Sequence, residues 1–383
     1  MTEMEKRPSV FFYVQHLLGI GHIARASRVA NALQADGFDV VLVTGGTPVP
    51  GFPGEGIRHV ELPPIAVSDS SFSGLVDSSG KPVDEAFKNL RTDMLIGAYH
   101  GAKPDIVIIE AFPFGRRQVR FELLPLLDEI EDSEPRPLVM TSLRDILQEK
   151  TKPGRDEETV SLVKKHFDAV LVHGDPDFAR LEDTFPLAGE ISQRIVYTGL
   201  VAPLPPPEPA EKFDIVVSAG GGAVGAALIR AALEAAPLLA GIKSWCLVTG
   251  PNMPQADFDA ISAEAPDNVS VFRFRKDFAS LLAGARLSVS QAGYNTVCDI
   301  LQAKCRSLLI PFAAGGETEQ SARAERLARL GLAQVLEEKH ISAQSMADAI
   351  KAALALPEPD KIHLDLDGAA GTARALHRLY DER

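Results

Sequence analysis

Short apolar runs and longer amphipathic stretches alternate along the chain. Residues 10–15, VFFYVQ, are almost continuously apolar, which is typical of a strand covered on both faces of a parallel sheet. Residues 23–37 carry apolar side chains at helical spacing and end at a glycine, which predicts a helix with a C-terminal cap. A second strand-like run, DVVLVT, follows, and the alternation continues to about residue 200. The N-terminal half therefore predicts an α/β domain with a doubly wound parallel sheet.

A proline-rich segment interrupts this pattern at residues 201–212, VAPLPPPEPAEK. Its composition predicts a stiff, exposed linker. The run FDIVVSAGGGAVG then restarts the same order of strand, glycine turn and helix. We therefore expect two similar domains, with residues 1–202 in the first and residues 203–383 in the second. Residues 66–82 lack periodicity and predict a loop without regular structure.

The composition narrows the class of protein. A length of 383 residues exceeds one ordinary core, and 45% hydrophobic with 24% charged residues is typical of a globular protein. The net charge of −13 argues against nucleic acid as a partner. The chain has no apolar run long enough for a transmembrane helix and no convincing signal peptide, and its three cysteines lack metal-ligand spacing. These features predict a cytoplasmic protein.

The most informative stretch is residues 292–320, AGYNTVCDILQAKCRSLLIPFAAGGETEQ. It predicts a turn after a strand, a helix, a second strand and a loop that opens another helix. Such a unit places helix N-termini at the carboxyl edge of a parallel sheet, where open α/β proteins bind ligands and where free N–H groups suit a diphosphate. Asp299, Glu319 and Gln320 are then candidates to bond ribose or sugar hydroxyls. The alternative is an ordinary βαβ unit in which these polar residues cap helices.

A second glycine-rich turn, containing Gly19 and Gly21, follows the first strand. His22 comes next, at the start of the predicted helix, where it is a candidate general base. A histidine base needs a carboxylate on its other nitrogen, and Glu110 at the exit of the strand DIVIIE is our candidate. The alternatives are a capping role for His22, a surface position for Glu110, and His16 as the base.

The second domain begins with a third glycine-rich strand exit. Here Ser218 and the three glycines 220–222 precede a predicted helix, which suits a diphosphate or serves as a plain tight turn. In the first domain, the segment EAFPFGRR contributes aromatic residues together with Arg116 and Arg117. That segment could hold an anionic or lipid-linked acceptor, or its arginines could pair with Glu122 and other surface acids.

The run SQAGYNTVCDILQAKCRSLLIPF, followed by ETEQ, resembles the donor half of family 28 glycosyltransferases, with matches at Gly293, Thr296, Asp299, Pro311, Phe312, Glu319 and Gln320. Ala292 replaces the serine of the family pattern, and the loop before Gln320 differs in length. The chain therefore resembles a branch distinct from the enzymes that add N-acetylglucosamine to the lipid-linked peptidoglycan precursor.

The resemblance implies a GT-B fold, with two Rossmann-like domains, a cleft between them, and a last helix, residues 368–380, that packs back on the first domain. It also implies an inverting transfer of a sugar from a nucleotide-sugar donor, a UDP-sugar, to a hydroxyl acceptor. His22 is the expected base and Glu110 its orienting partner; Gly19, Gly21, Arg116 and Arg117 lie on the acceptor side. The expected donor-binding residues are Ser218, Gly220, Gly221, Gly222, Arg275, Gly293, Asn295, Thr296, Asp299, Glu319 and Gln320.

Two other functions remain open on the sequence. A nucleotide-sugar epimerase shares the two-domain architecture but needs no separate acceptor. A nucleotide-sugar-binding protein without turnover would need no base. Carboxylate pairs at Asp175 with Asp177, and at Asp365 with Asp367, have metal-like spacing. The glycine and proline neighbours of the first pair favour turns and caps, and the resemblance to GT-B enzymes implies no bound divalent metal at either pair. We expect no metal and no other cofactor, and a cytoplasmic location that is peripheral to the membrane if the acceptor is lipid-linked.

Overall fold

The structure is a computed structural model that describes residues 7–17, 19, 21–49, 51–54, 56–67, 74–148, 153–220, 225–313, 316–359 and 362–383. By its internal contacts, the chain divides into two compact units. Unit 1 is Met1–Val201 together with Asp367–Arg383, and unit 2 is Ala202–Leu366. The boundary falls at the start of the proline-rich segment.

Unit 1 is built on a parallel sheet. Its strands are β1 (Ser9–Val14), β2 (Asp39–Thr44), β3 (Arg58–Glu61), β4 (Ile65–Val67), β5 (Leu75–Asp77), β6 (Ile106–Glu110), β7 (Leu138–Arg144), β8 (Ala169–His173) and β9 (Ile195–Tyr197). Its first four helices are α1 (Gly21–Ala35), α2 (Glu85–Ala102), α3 (Arg120–Glu131) and α4 (Arg155–His166). Seven strands form the sheet in the order β3-β2-β1-β6-β7-β8-β9. Strands β1 and β6 are buried along their whole length, as their continuous apolar sequences predict.

The segment after β3 differs from the sequence prediction of an irregular loop at residues 66–82. Strands β4 and β5 pair antiparallel, with Ala66 opposite Val76. Each strand has only three residues, which is too short for a periodic pattern to reveal. The part of the predicted loop at 68–73 lies outside the described residues.

Unit 2 repeats the same architecture. Its strands are β10 (Ile215–Ser218), β11 (Trp245–Val248), β12 (Val269–Phe272), β13 (Leu287–Ser290), β14 (Ser307–Leu309) and β15 (Gln334–Val335). Its helices are α5 (Ala226–Ala235), α6 (Gln255–Glu264), α7 (Phe278–Gly284), α8 (Tyr294–Ala303), α9 (Glu319–Arg329) and α10 (Ala343–Leu354). The sheet is parallel, in the order β12-β11-β10-β13-β14-β15.

The last helix, α11 (Gly368–Asp381), belongs to unit 1 and packs against α1. Two glycines allow its close approach to the backbone that follows β9. A Cβ atom on Gly368 would lie 2.2 Å from the carbonyl oxygen of Gly199, and one on Gly371 would lie 2.0 Å from that of Thr198. Any larger residue at these two positions would push the helix away.

The two sheets share a feature that locates binding sites. In unit 1 the strand order reverses between β1 and β6, and in unit 2 it reverses between β10 and β13. In open α/β sheets, ligands bind beyond the carboxyl ends of the two strands at such a reversal. In the part of the chain that the structure describes, no helix combines the length and the apolar character needed to cross a bilayer.

Candidate active site

His22 and Glu110 meet at the strand-order reversal of unit 1. His22 lies in the first turn of α1, after the loop that leaves β1, and Glu110 is the last residue of β6. Nδ1 of His22 lies 2.7 Å from Oε1 and 2.8 Å from Oε2 of Glu110. The carboxylate side chain is fully buried, whereas the imidazole remains 16% exposed. We call this pair the dyad.

The surroundings fix the charge state of the dyad. Burial alone would raise the pKa of Glu110, but its interactions with His22, Arg25 and Arg116 outweigh burial and lower that pKa to about 2. Burial, Arg116 and Arg144 lower the pKa of His22 to about 3, against the opposing effect of Glu110. At neutral pH the carboxylate is therefore ionised and the imidazole neutral. The carboxylate accepts a hydrogen bond from Nδ1–H, which leaves the lone pair on Nε2 available as a base.

Arg25 is a third member of this cluster that the sequence did not reveal. It follows His22 by three residues on α1, is only 3% exposed, and donates from Nη2 to Oε1 of Glu110. Next to it, His173 is buried and bonds Ser142 through Nε2 and Thr198 through Nδ1, each at 2.8 Å. The sequence contains one indication of the role of Arg25. Its separation of three residues from His22 places the two side chains near the same face of α1.

Two adjacent arginines of the EAFPFGRR segment have different environments. Arg116 is half-buried and donates from Nε to the carbonyl oxygen of Gln15 at 2.8 Å, close to the dyad. Arg117 forms an ion pair with Glu158 on α4, which also contacts Arg120 at 3.1 Å. The predicted alternative partner for these arginines, Glu122, is instead fully buried and bound to Arg91. That assignment was wrong because Glu122 lies on the inner face of α3.

The remaining residues predicted for the acceptor side lie close to the dyad in sequence. Gly21 begins α1, and Gly19 is exposed in the loop before it. His16, the alternative base, is 4% exposed, and its Nε2 contacts the carbonyl oxygen of Thr47 at 2.8 Å. Its side chain is therefore less accessible than that of His22.

The two buried histidines predict a loss of stability in acid. His22 and His173 each have a pKa lowered from 6.5 to about 3, mainly by burial. Because the unfolded chain binds these protons below about pH 6.5 and the folded chain does not, unfolding is favoured as the pH falls from 6.5 toward 3. Each histidine contributes a slope of about 1.4 kcal/mol per pH unit. We expect His173→Gln to flatten the dependence measured by urea unfolding between pH 7.5 and 5.

The matched control for this measurement is His100→Gln, since the side chain of His100 is 56% exposed on α2. Because His100 takes part only in a surface ion pair with Glu129, this substitution should change the slope of the unfolding free energy with pH far less than His173→Gln does. An unaltered slope in His173→Gln would show that His173 binds a proton equally in both states.

The donor-side predictions begin at β10, the first of the two strands at the reversal of unit 2. Ser218 is its last residue, and its Oγ accepts a hydrogen bond from the N–H of Gly220 at 3.3 Å. Gly220 has a φ of +74°, a conformation that favours glycine. Gly221 and Gly222 lie outside the described residues.

The neighbouring strand β13 leads into α8, whose N-cap is Gly293. Asn295, Thr296 and Asp299 lie on the first two turns of this helix, and all three are half-buried. The N–H groups at the start of α8 therefore lie beside the end of β10, because β10 and β13 are paired. This arrangement can bind an anionic group and hydroxyls together.

Glu319 and Gln320, predicted to bind the donor, brace the backbone around this site. Oε1 of Gln320 accepts from the N–H of Ala292 at 3.0 Å and from that of Phe312 at 3.2 Å. Glu319 is 2% exposed and accepts from Arg323 at 2.7 Å, and Arg323 also donates to the carbonyl oxygen of Ala292 at 2.9 Å. These bonds tie the turn after β13 to the loop after β14.

Arg275, also predicted for the donor site, is held by two carboxylates. Its Nη2 lies 2.7 Å from Asp277 and 2.7 Å from Glu211, and its guanidinium stacks over Phe272. Hydrogen bonding to Asp277 raises the pKa of Arg275 above its ordinary value. Arg275 therefore fastens the proline-rich segment to the turn after β12.

Comparison with known proteins connects this geometry to a family. The Glycosyltransferase family 28 C-terminal domain matches residues 215–361, which cover almost all of unit 2. The full-length fold is similar to the calicheamicin glycosyltransferase CalG4, with a TM-score of 0.65 at 17% identity over 99% of both chains. The chain has the GT-B fold, and its residues 215–361 are similar to the C-terminal domain of glycosyltransferase family 28. The predictions of family resemblance and fold class are thereby confirmed.

Two curated relatives and one further structure complete the comparison. UDP-N-acetylglucosamine–N-acetylmuramyl-(pentapeptide) pyrophosphoryl-undecaprenol N-acetylglucosamine transferase from Exiguobacterium sp. is 33% identical over 143 residues, which is 37% of this chain and 39% of the relative. The enzyme of that name from Agrobacterium fabrum is 29% identical over 204 residues, 49% of this chain and 53% of the relative. MurG from Acinetobacter baumannii has a TM-score of 0.60 at 17% identity, over 97% of this chain and 100% of that chain. The chain thus spans about two fifths to one half of the curated relatives it matches.

Proposed function

We propose that this protein is an inverting glycosyltransferase of the hexosyltransferase type, which moves a sugar from a UDP-sugar to a hydroxyl acceptor. The dyad carries the proposal, because a neutral imidazole oriented by a buried carboxylate is suited to take a proton from a hydroxyl. The family 28 domain at residues 215–361 supports a nucleotide-sugar donor. The names of the curated relatives specify UDP-N-acetylglucosamine, which supports the uridine nucleotide.

The proposed step forms one bond and breaks one. Nε2 of His22 takes the proton of the acceptor hydroxyl while that oxygen attacks the anomeric carbon. The bond from the anomeric carbon to the diphosphate oxygen breaks on the opposite face, so the configuration inverts. Glu110 stabilises the imidazolium that forms, and Arg25 keeps Glu110 ionised by its buried ion pair.

Unit 2 would hold the donor in this proposal. The negative charge that develops on the leaving diphosphate needs preorganised donors, and the N–H groups at the start of α8 can supply them. Thr296 and Asp299 would bond hydroxyls, while Glu319 and Gln320 would act largely by holding the two loops in place. No metal ion takes part in the proposed step.

The proposal also specifies the chemical class of the acceptor. The names of the curated relatives describe an acceptor on pyrophosphoryl-undecaprenol, which supports a lipid-linked, anionic acceptor here. The proposal then includes a cytoplasmic location at the membrane surface.

A panel of nucleotide sugars tests the function directly. We expect one UDP-sugar to raise the thermal unfolding temperature and to undergo slow hydrolysis, with release of a sugar of inverted anomeric configuration. Interconversion of the sugar while it stays on the nucleotide would instead identify an epimerase. Binding without any turnover, with every donor and acceptor tried, would identify a nucleotide-sugar-binding protein.

A single substitution tests the donor site. Asp299→Ala removes a carboxylate that bonds ribose or sugar hydroxyls in our proposal, so the UDP-sugar found by the panel should bind more weakly by about 1–3 kcal/mol, measured by calorimetry. Asp259→Ala, on α6, removes the same charge at an exposed position and is the matched control. Equal affinity of the two variants for this UDP-sugar would exclude Asp299 from the site.

A further inference from the structure

Arg116 is placed next to the dyad by an unusual backbone conformation. Its φ is +55°, in the left-handed region, immediately after the glycine of the EAFPFGRR segment. The side chain is half-buried and is anchored through Nε to the carbonyl oxygen of Gln15, in the loop between β1 and α1. Among the described residues, this is the hydrogen bond that the structure gives its guanidinium, so the two terminal amino groups are available to a ligand.

The next residue in the chain, Arg117, differs from Arg116 in its ion pairing. The guanidinium of Arg117 is bound to Glu158, and Arg120 shares the same carboxylate. Arg117 is therefore in direct contact with an acid of the protein, whereas Arg116 forms no ion pair with a described carboxylate and interacts with Glu110 at longer range. A half-buried guanidinium of this kind is well suited to an anion, since its fork binds phosphate or carboxylate through two parallel hydrogen bonds.

The charges around the dyad reinforce this conclusion. Arg25 and Arg116 both act on Glu110, whereas Arg144 acts on Arg116 and on His22, so three positive charges lie near the dyad. Burial and the charges of Arg144 and Arg25 lower the pKa of Arg116 to about 10, although Glu110 opposes this shift. The repulsion between these guanidinium groups decreases when an anion binds near them.

We propose that Arg116 is the anion-binding residue of unit 1, that it takes a phosphate group of a substrate, and that the bound anion, next to the dyad, stabilises the imidazolium formed on His22 during transfer. The first step, anion binding at Arg116, can be measured without any sugar transfer. The second step, the effect of the bound anion on His22, rests on the proposed function, because it assigns His22 the role of base.

The second step follows from the groups that face His22. They are Glu110 from β6, Arg25 from α1, Arg116 from the loop after β6, Arg144 from the end of β7, and, behind Glu110, His173 from β8. Arg116 is the largest electrostatic cause of the lowered pKa of His22, after burial. A phosphate on Arg116 offsets that positive charge, so the imidazolium formed during transfer becomes less unfavourable. The base would thus reach its full strength only when the anionic substrate is in place.

Binding of monomethyl phosphate at pH 7.5 tests the first step. We expect Arg116→Gln to weaken binding about tenfold or more, because a charge-assisted contact is lost. Arg116→Lys, which keeps the charge without the fork, should fall between this variant and the parent. Arg117→Gln is the matched control and should bind within about twofold of the parent, because its guanidinium is already paired. Equal affinity in Arg116→Gln and Arg117→Gln would overturn the proposal.

A competition experiment distinguishes the two possible sources of the phosphate. If it belongs to the acceptor, UDP and monomethyl phosphate bind together and UDP affinity is unchanged in Arg116→Gln. If it belongs to the donor diphosphate, UDP displaces monomethyl phosphate and binds more weakly to Arg116→Gln. Either result supports an anion site at Arg116, and displacement that is equally strong in Arg116→Gln contradicts it.

Sulfate tests the effect on His22, since its charge is constant over the pH range needed. With histidine labelled by ¹⁵N, NMR should show that sulfate raises the pKa of His22 in the parent and in Arg117→Gln. In Arg116→Gln the pKa should already be raised and should no longer respond to sulfate. A response that persists in Arg116→Gln would overturn the second step, whereas failure of the proposed function would appear separately as absence of transfer.

Discussion

Replacing His22 by alanine is expected to lower the rate of sugar transfer by about 10²-fold or more, because a positioned base typically contributes that much to proton transfer. The affinity for UDP should stay nearly the same, since His22 lies in unit 1 and the proposed donor residues lie in unit 2. The measurement is steady-state transfer with the donor found by the nucleotide-sugar panel, together with UDP binding by calorimetry. A loss in kcat with unchanged UDP affinity separates chemistry from binding.

The control for this experiment is His16→Gln. His16 is buried against Thr47, and the dyad assignment gives it no part in proton transfer. If His22→Ala retained most of its turnover while His16→Gln lost it, the base would be His16. Glu110→Gln adds a further check, because it keeps the size of the side chain but removes the charge that orients and stabilises the imidazole. It should also lower kcat without affecting UDP affinity.

The sequence predicted the parts of this site that depend on local order. A buried strand followed by a glycine-rich turn places His22 at a helix start, and the carboxyl end of another parallel strand places Glu110 at the same sheet edge. The distance between the two, however, depends on β1 and β6 being neighbours, which is a matter of topology across 88 residues. The strand-order reversal supplies that adjacency.

Arg25 shows what the sequence could not reveal. It lies between the apolar positions Ile23 and Ala26 in a helix whose pattern suggests an ordinary amphipathic face. Its burial is favoured because Glu110, from a strand 85 residues away, forms an ion pair with it. A single arginine on a helix gives no indication of such a partner.

For Glu319 and Gln320 the sequence indicated the position in the fold but not the hydrogen-bond partners. Their position at the start of a helix after a strand correctly places them at the sheet edge. Their side chains nevertheless bond the backbone of Ala292 and Phe312 and the side chain of Arg323. A carboxylate or an amide can bind a ligand hydroxyl and a backbone N–H equally well, so residue type alone cannot separate the two roles.

A second large effect is expected on stability, at a buried ion pair of unit 1. Arg91 on α2 and Glu122 on α3 are both fully buried and share two hydrogen bonds, at 2.8 and 2.7 Å. Tyr13 donates to the same carboxylate at 2.5 Å, and Arg91 also donates to Gln15 at 3.0 Å. Arg91 also donates to two backbone carbonyl oxygens, those of Gly45 and Pro63. The charge of Glu122 is the one that balances that of Arg91 in this cluster.

Arg91→Met should lower the free energy of unfolding by about 3–5 kcal/mol, since it leaves the carboxylate of Glu122 buried without its counter-charge. Urea unfolding followed by circular dichroism measures the loss. Lys88→Met, which breaks a surface pair with Glu85 on the same helix, should lower it by at most about 1 kcal/mol. The double variant Arg91→Met with Glu122→Leu should be more stable than Arg91→Met alone, because both charges are then removed from the core. If the double variant were the less stable of the two, the cluster would stabilise unit 1 by the hydrogen bonds of Glu122 to Tyr13 and not by charge compensation.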